Sequence, residues 1–599
     1  MRTSKFMMVF GVLVVASMVL TACGGTAAVQ TVEVTRMVQG TPMTEVITAT
    51  PGPQAMGPKV VRDAATMGVG DVPTLDPSTS TDTSSVQVVE ELTVGLTRQN
   101  EATGEILPAM ATSWDTSADG KTITFHLRDD IPWVRWDGSK VVQVMDCDGN
   151  PRMVTAQDFM YGLLRTINPA TASSYAYVLG FAVAGADAYN SGDGTAADVG
   201  VSAPDATTLA ITFNQAAAYN VNIAGMWIAR AEPSWVIDGD DCTEARGDRW
   251  IEPGFMQSYG PFALKEWVHD STLTIVKNPF WPGMDNIPQP KIDEVQFSML
   301  DSQPAFAAYE AGDVDYSAVP LSDIDRVKAD PQLSKELHIA PSPCTYYYGF
   351  NTQAPVVSDQ RVRLALSEAV DRQSLIDNVT KGGQLPAHWF SVPGLAGAPS
   401  PDNYPDLGVY YNPDDAKAQL QSYLDDTGQT ADQLDLTLMF NTSSGHQQIA
   451  EAIQQMWKDN LGVDVKLTNQ EWKVYLNTIR DPKGTPQIWR LGWCQDYPDA
   501  NNFLKEDVGF GGSANPTEGG GLNWNDPKYE DLLNQAATET DAQKRTDLYA
   551  QAEEILVKTD AAMIPIYWYT SVSVTKPYIE RTFSVIQRQS YEKWDVMPH

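Results

Sequence analysis

Histidine is scarce in this chain, six residues in 599, and none falls in a His-Glu-x-x-His pattern or at the close Cys/His spacing of a zinc site. There is no Gly-x-Ser-x-Gly elbow and no glycine-rich loop ending in Gly-Lys-Ser/Thr. These absences remove the motif-borne forms of metalloprotease, serine hydrolase and nucleoside triphosphatase. No metal and no cofactor is expected. Asp146-Cys147-Asp148-Gly149-Asn150 has the acids of a calcium loop, but its glycine comes too early and no glutamate closes it, so it reads as a turn. Basic residues are few, 41 against 76 acids, for a net charge of −35. Phosphate binding wants a basic face, so nucleic acid is excluded as a partner. Because acids are abundant, a pair of glycosidase carboxylates stays open.

Long apolar runs are also missing, with one exception. Residues 6–20 are apolar apart from Gly11 and Ser17, which is short of the roughly 20 residues a bilayer needs. Arg2 and Lys5 precede this run, and Leu20-Thr21-Ala22-Cys23-Gly24-Gly25, which resembles a bacterial lipobox, follows it. Residues 1–22 therefore read as a lipoprotein signal peptide, with Cys23 as the lipidated first residue of an exported chain. The protein is expected on the outer face of the bacterial cytoplasmic membrane. Residues 24–58 are rich in Thr, Val, Gly and Pro and hold no aromatic residue; Pro42, Pro51, Pro53 and Pro58 argue for a flexible stalk over 23–58. What remains is too long for one core and implies two or three domains. Outside the cell the four cysteines beyond Cys23 are expected to pair.

Turn and periodicity signals place the elements. Ser117-Ala118-Asp119-Gly120-Lys121 separates two strands of a hairpin, 111–114 and 122–127. Thr155, with Asp158 three residues on, opens a helix that buries Phe159, Leu163 and Ile167. A second hairpin runs through 264–267 and 272–276, followed by a strand at 292–299 and a helix at 304–311. From residue 344 onward the pattern is α/β: a helix over 360–379 capped by Asp359, a strand at 436–440, a helix at 446–461 and a strand at 463–467. The last helix is expected at 540–559 and the last strand at 564–574.

Two segments carry a resemblance. Arg490-Leu491-Gly492-Trp493-Cys494-Gln495-Asp496-Tyr497-Pro498-Asp499 packs a guanidinium, an indole, a thiol, carboxylates and a phenol together, and Cys344-Thr345-Tyr346-Tyr347-Tyr348-Gly349-Phe350-Asn351 precedes it by about 150 residues. Both resemble the periplasmic oligopeptide-binding proteins, the solute receptors of peptide-importing ABC transporters. The resemblance implies a two-lobed α/β, class II periplasmic-binding-protein-like fold with an extra α+β subdomain. Lobe I would take 59–93, 251–343 and 565–599, the subdomain 94–250, and lobe II 344–564. It implies a disulfide between Cys344 and Cys494, which leaves Cys147 and Cys242 as the second pair. It implies that a solute is captured in a closing cleft and handed to a permease and its ATPase, by a monomer that is not an enzyme.

The site residues follow from the same resemblance. Asp496 would pair with a peptide's α-ammonium, and Arg490 would answer its carboxylate. Trp493 and Tyr347 would form walls, with Tyr497 beside them. Asp82 stands where some members carry a glutamate. Read from the residues alone, Asp496 is a helix cap or ion-pair partner and Arg490 a structural salt bridge, and those alternatives stay open. Gly349 replaces an acid that members can carry, which leaves the ligand class open to an oligosaccharide or another small solute. An exported hydrolase is the rival from another class.

Overall fold

The computed structural model describes residues 31–38, 41–48, 57–586 and 588–599. The expected signal peptide, 1–22, and Cys23 lie outside the described residues. Within the expected stalk, Thr31–Val38 and Thr41–Thr48 pair as an antiparallel hairpin, Thr31 opposite Thr48, where extended chain is expected. Alternating Val and Thr favour a strand, and Pro42 sits at the second position of its strand, where a missing donor costs least.

Everything from residue 58 onward forms one compact unit. Its spine is a mixed sheet whose strands we number in chain order: β1 Val60–Asp63, β2 Phe262–Val268, β3 Thr272–Lys277, β4 Glu294–Ser298, β5 Tyr316–Ala318, β6 Leu337–Phe350, β7 Leu436–Asn441, β8 Val465–Gln470, β9 Ile488–Cys494 and β10 Met563–Thr575. They lie in the order β2-β3-β4-β1-β5-β10-β6-β9-β7-β8. β6 and β10 are the long ones, antiparallel to each other, and they run through both halves of the sheet. Leu337 to Pro341 face residues 570–574, and Thr345 to Gly349 face 563–568, with the register broken between Pro341 and Thr345. Pro341 and Pro343 flank that break, where a proline's lost donor does least harm.

In the α/β half, β7 and β8 are parallel and are joined by the helix Ser444–Leu461. That helix starts two residues before the expected 446, on the Ser443 cap, and Gly462 in the left-handed region (φ 73°) ends it. The expected single helix over 360–379 is broken into Gln360–Glu368 and Arg372–Leu375, continued by a wider turn over Ile376–Thr380. The cause is Asp371, whose carboxylate accepts from the Ser374 N–H and starts a second helix in mid-pattern. Periodicity survives such a break because Val362, Leu366, Val370 and Ile376 all still face the core.

In the span 94–250, four strands in the order Val201–Asp205, Thr208–Thr212, Thr122–Leu127, Ala111–Thr116 form a separate sheet. The capping box at Thr155 opens the helix Ala156–Thr166 packed beside it. Arg165 on this helix is held by Asp76 (2.7 Å) and Glu232 (2.9 Å), tying the Leu75-Asp76-Pro77 turn to the subdomain. Both cysteine pairs are bonded, Cys344 to Cys494 and Cys147 to Cys242. The latter spans 95 residues of sequence and sits on the surface. Replacing Cys147 and Cys242 by serine is expected to lower the stability of this region by about 2–4 kcal/mol. Urea unfolding followed at the subdomain tryptophans checks it, and an unchanged midpoint would contradict the assignment of a stabilising staple.

Candidate ligand-binding site

β9 is a central strand at one end and an edge strand at the other. Residues 488–494 pair with β6 along one side, but β7 reaches only Ile488 and Trp489 on the other. Past Arg490, whose own N–H and C=O are taken by the Tyr475 hydroxyl, that second edge faces a cavity of about 310 Å³. Leu491, Gly492, Trp493, Cys494 and Gln495 all line it. An open strand edge inside a cavity offers backbone donors and acceptors to an extended guest.

Arg490 stands at one end of this edge. Its guanidinium is buried and donates to Asn441 Oδ1 (3.1 Å) and to the Tyr569 hydroxyl, lies 4.4 Å from the Tyr346 ring, and leaves Nε without a partner. Among the described residues no carboxylate pairs with it. Its backbone N–H donates to the Tyr475 hydroxyl (2.9 Å), which donates in turn to the Arg490 carbonyl, so Tyr475 pins the strand. Gly492 allows the guanidinium to lie along the sheet, since a Cβ there would come within 2.8 Å of the Tyr569 hydroxyl oxygen.

Asp496 stands just past the other end. Its carboxylate accepts from Asn502 Nδ2 (3.2 Å), and Asn502 Oδ1 accepts from both the Asp496 N–H and Trp493 Nε1 (3.0 Å each). Asn502 therefore locks the acid to its neighbouring wall. Burial pushes the Asp496 carboxyl up to about 7, against the opposing pull of Asn502 and Arg588. Asp496 lines the cavity. A cation delivered there would restore the charged form.

Of the other expected residues, Asp82 also lines the cavity, though as the cap of the helix Thr83–Leu92: its Oδ1 accepts from the Ser84 and Ser85 N–H groups, and Oδ2 is left without a hydrogen bond. Trp493 lines the cavity and stacks on Tyr175 at 6.4 Å. Two of the expected residues do not line this cavity. Tyr347 is fully buried away from the cavity, its hydroxyl donating to Asp507 Oδ2 (2.7 Å) and its ring packed on Phe390 and Trp489. Tyr497 stacks on Tyr219 and accepts from Asn501, clear of the cavity. Both point to the face of their strand or loop opposite Arg490, and a sequence run of aromatics does not say which face is wet. The Gly349 departure has a steric cause: a Cβ there would lie 2.3 Å from the Trp489 ring.

Sequence reasoning missed the opposite wall. Tyr175 and Trp227, from the subdomain, close over the cavity, as does the face of the helix Trp472–Arg480 that carries Trp472, Leu476 and Arg480. Tyr175 precedes the helix Ala176–Ala182 and Trp227 opens a short 3-10 turn, neither with a sequence signal for the site, but the i, i+4, i+8 spacing of the other three was readable. The two sides are joined by bonds from the Tyr177 hydroxyl to the Glu506 carbonyl and from Gln99 Nε2 to the Asp496 carbonyl, both 2.7 Å. These bonds hold the two walls together across the cavity.

Two halves of a sheet joined by β6 and β10, closed over an opposite-charged cleft, define a two-lobed binding receptor. The chain belongs to the bacterial extracellular solute-binding proteins, family 5: the model of that family's middle region matches residues 105–515. It is 34% identical over 515 residues to the oligopeptide-binding protein OppA of Bacillus subtilis, covering 84% of this chain and 86% of that one. The solved murein tripeptide-binding protein MppA of Escherichia coli superposes with a TM-score of 0.77 at 31% identity, covering 90% of this chain and 98% of MppA. The unliganded open form of MppA gives only 0.59 at the same identity, covering 91% and 98%. Identity being equal, the difference lies in how the lobes are set, and this chain is not in the open setting. Members of the family are receptors, not enzymes. Among the described residues no helix is long and apolar enough to cross a membrane.

Proposed function

We propose that the protein is the solute receptor of an ABC importer and that it captures oligopeptides. The observation that carries this is the open β9 edge set between a buried, unpaired guanidinium at Arg490 and a buried carboxylate at Asp496. A peptide supplies what each lacks: a carboxylate for Arg490, an ammonium for Asp496, and a backbone that adds to the strand edge whatever its side chains. Oligopeptide binding by the Bacillus relative supports the reading. Asp496, Arg490 and Trp493 make the contacts, with Asp82 at the cleft wall.

The lobes divide as 59–93, 251–343 and 565–599 against 344–564, with 94–250 as the subdomain, and the register break in β6 is where they swing. The closed receptor is offered to a permease and its ATPase. It acts as a monomer tethered by lipid on Cys23 to the outer face of the membrane, and the lipobox-like sequence supports that anchor. Mass spectrometry of small molecules released on denaturation of natively purified protein tests the ligand class. A mixture of short peptides is expected; a sugar or a single non-peptide metabolite would overturn it.

A further inference from the structure

The loop from Asp496 to Glu506 is held as a unit by one amide. Asn502 Nδ2 donates to Asp496 Oδ2 (3.2 Å) and to Glu506 Oε2 (2.5 Å), which uses both of its hydrogens. Asn502 Oδ1 accepts from the Asp496 N–H and from Trp493 Nε1. The two ends of the loop and the cavity wall at Trp493 are therefore tied together. The main-chain carbonyls of Asp496 and Glu506, one at each end, accept from partners elsewhere in the chain.

Those partners come from across the cavity. Gln99, which ends the strand Thr97–Gln99 in the span 94–250, donates from Nε2 to the Asp496 carbonyl (2.7 Å). Arg588 Nη2, from the C-terminal segment, reaches the same oxygen at 3.4 Å. The Tyr177 hydroxyl, on the helix Ala176–Ala182, donates to the Glu506 carbonyl (2.7 Å). The Tyr219 ring stacks on Tyr497, inside the loop, with centroids 5.7 Å apart.

The fold gains little from Gln99. Its Oε1 is buried without a hydrogen bond, so among the described residues its amide makes one bond, the one to Asp496. A buried acceptor left unpaired is a cost that an apolar side chain of the same length would avoid. What the amide supplies is a donor at the carbonyl of the residue that takes the ligand's amine.

We infer that Gln99 and Tyr177 are positioning residues for amine recognition: they fix the 496–506 loop across the cleft, so that the ligand's ammonium and the closed setting are secured at one place. This rests on the peptide reading above, through the role it gives Asp496. Both bonds join parts of the chain that an opening of the cleft separates. An ammonium paired with Asp496 therefore favours the setting in which Gln99 reaches the carbonyl of the same residue, and the bond in turn slows the ammonium's escape. A peptide without a free amine leaves Asp496 unpaired and draws little from the arrangement.

Stopped-flow tryptophan fluorescence, with Trp493 in the cavity wall as reporter, tests it on Ala-Ala-Ala and its N-acetylated form. Gln99→Met keeps the length and removes the donor; Tyr177→Phe removes only the hydroxyl. Each is expected to speed release of the free-amine peptide roughly three- to tenfold, with association within about twofold of wild type. Release of the acetylated peptide should change by less than about twofold in either variant. Release is read only from molecules that have bound, so a misfolded fraction does not imitate the effect. Unchanged release of the free-amine peptide, or equal acceleration for both peptides, would overturn the positioning role and leave the peptide reading standing. If neither peptide binds wild-type protein, the peptide reading fails first and the positioning role falls with it.

Discussion

Asp496→Asn is expected to weaken peptides carrying a free α-amine by about a hundredfold, while N-acetylated peptides stay within about threefold. The substitution keeps the shape and the bond from Asn502, and removes only the charge. In wild type the free amine replaces the cation that Asp496 lacks; in the variant a buried ammonium has no counter-charge, and its desolvation goes uncompensated. Acetylated peptides never make the pair, so they lose nothing with it. Calorimetry on matched free and acetylated peptides measures the ratio, and an equal loss for both would remove Asp496 from its role.

The same group predicts a pH profile. With its carboxyl pushed up to about 7 in the ligand-free cleft, Asp496 must give up a proton before it pairs with an ammonium. Affinity for amine peptides should rise with pH up to about 7, level off, and fall above about 8 as the peptide's own amine deprotonates. Below pH 7 binding should release a proton, visible as a buffer-dependent heat that is absent in Asp496→Asn.

Much of this site was legible in the sequence because it is built on one strand. Arg490, Trp493 and Asp496 come from a single run whose chemistry is too polar for a core strand without partners, and those three line the cavity. The tyrosine run at 346–348 was harder. Strand alternation says that Tyr347 opposes Tyr346 and Tyr348, but which face meets the cleft is decided by β10 and the Trp489 ring, residues distant in sequence. Tyr497 was assigned by proximity to Asp496, whereas the chain turns between them and sends the ring to Tyr219. The fold was legible wherever caps and periods agreed, as at Thr155 or Gly462. It was misjudged at 360–379, where the period continued but Asp371 restarted the helix. Tyr175 and Trp227 carried no local signal at all, since their role comes from closure of one part of the chain over another.

Ligand-free protein is expected to be more stable near pH 5.5 than near pH 8, by on the order of several kcal/mol. The sign comes from buried acids whose loss of hydration outweighs the pull of the groups around them. Burial pushes the Asp507 carboxyl up to about 8, with Oδ1 unpartnered; it pushes Glu553 up to about 7 despite the N–H groups of Phe390 and Ser391 on its oxygens, and Asp496 to about 7. Glu506 is raised too, sharing Asn502 with Asp496. In the unfolded chain these groups lose their protons near pH 4; in the folded chain Asp507, Glu553 and Asp496 keep them to about 7 or 8, and Glu506 keeps its own well past the ordinary carboxyl range. Between those limits the folded state binds more protons, so stability falls as pH rises, and it is flat beyond both. The net charge of −35 pushes in the same direction, but exposed self-repulsion is screened by salt and buried titration is not. Urea midpoints at pH 5.5 and 8 should therefore differ even at high ionic strength, and less so in Asp507→Asn. A midpoint that is level or rises with pH at high salt would mean that these carboxyls find counter-charges in the folded protein, and the uncompensated acid at Asp496 would then lose its basis as an amine site.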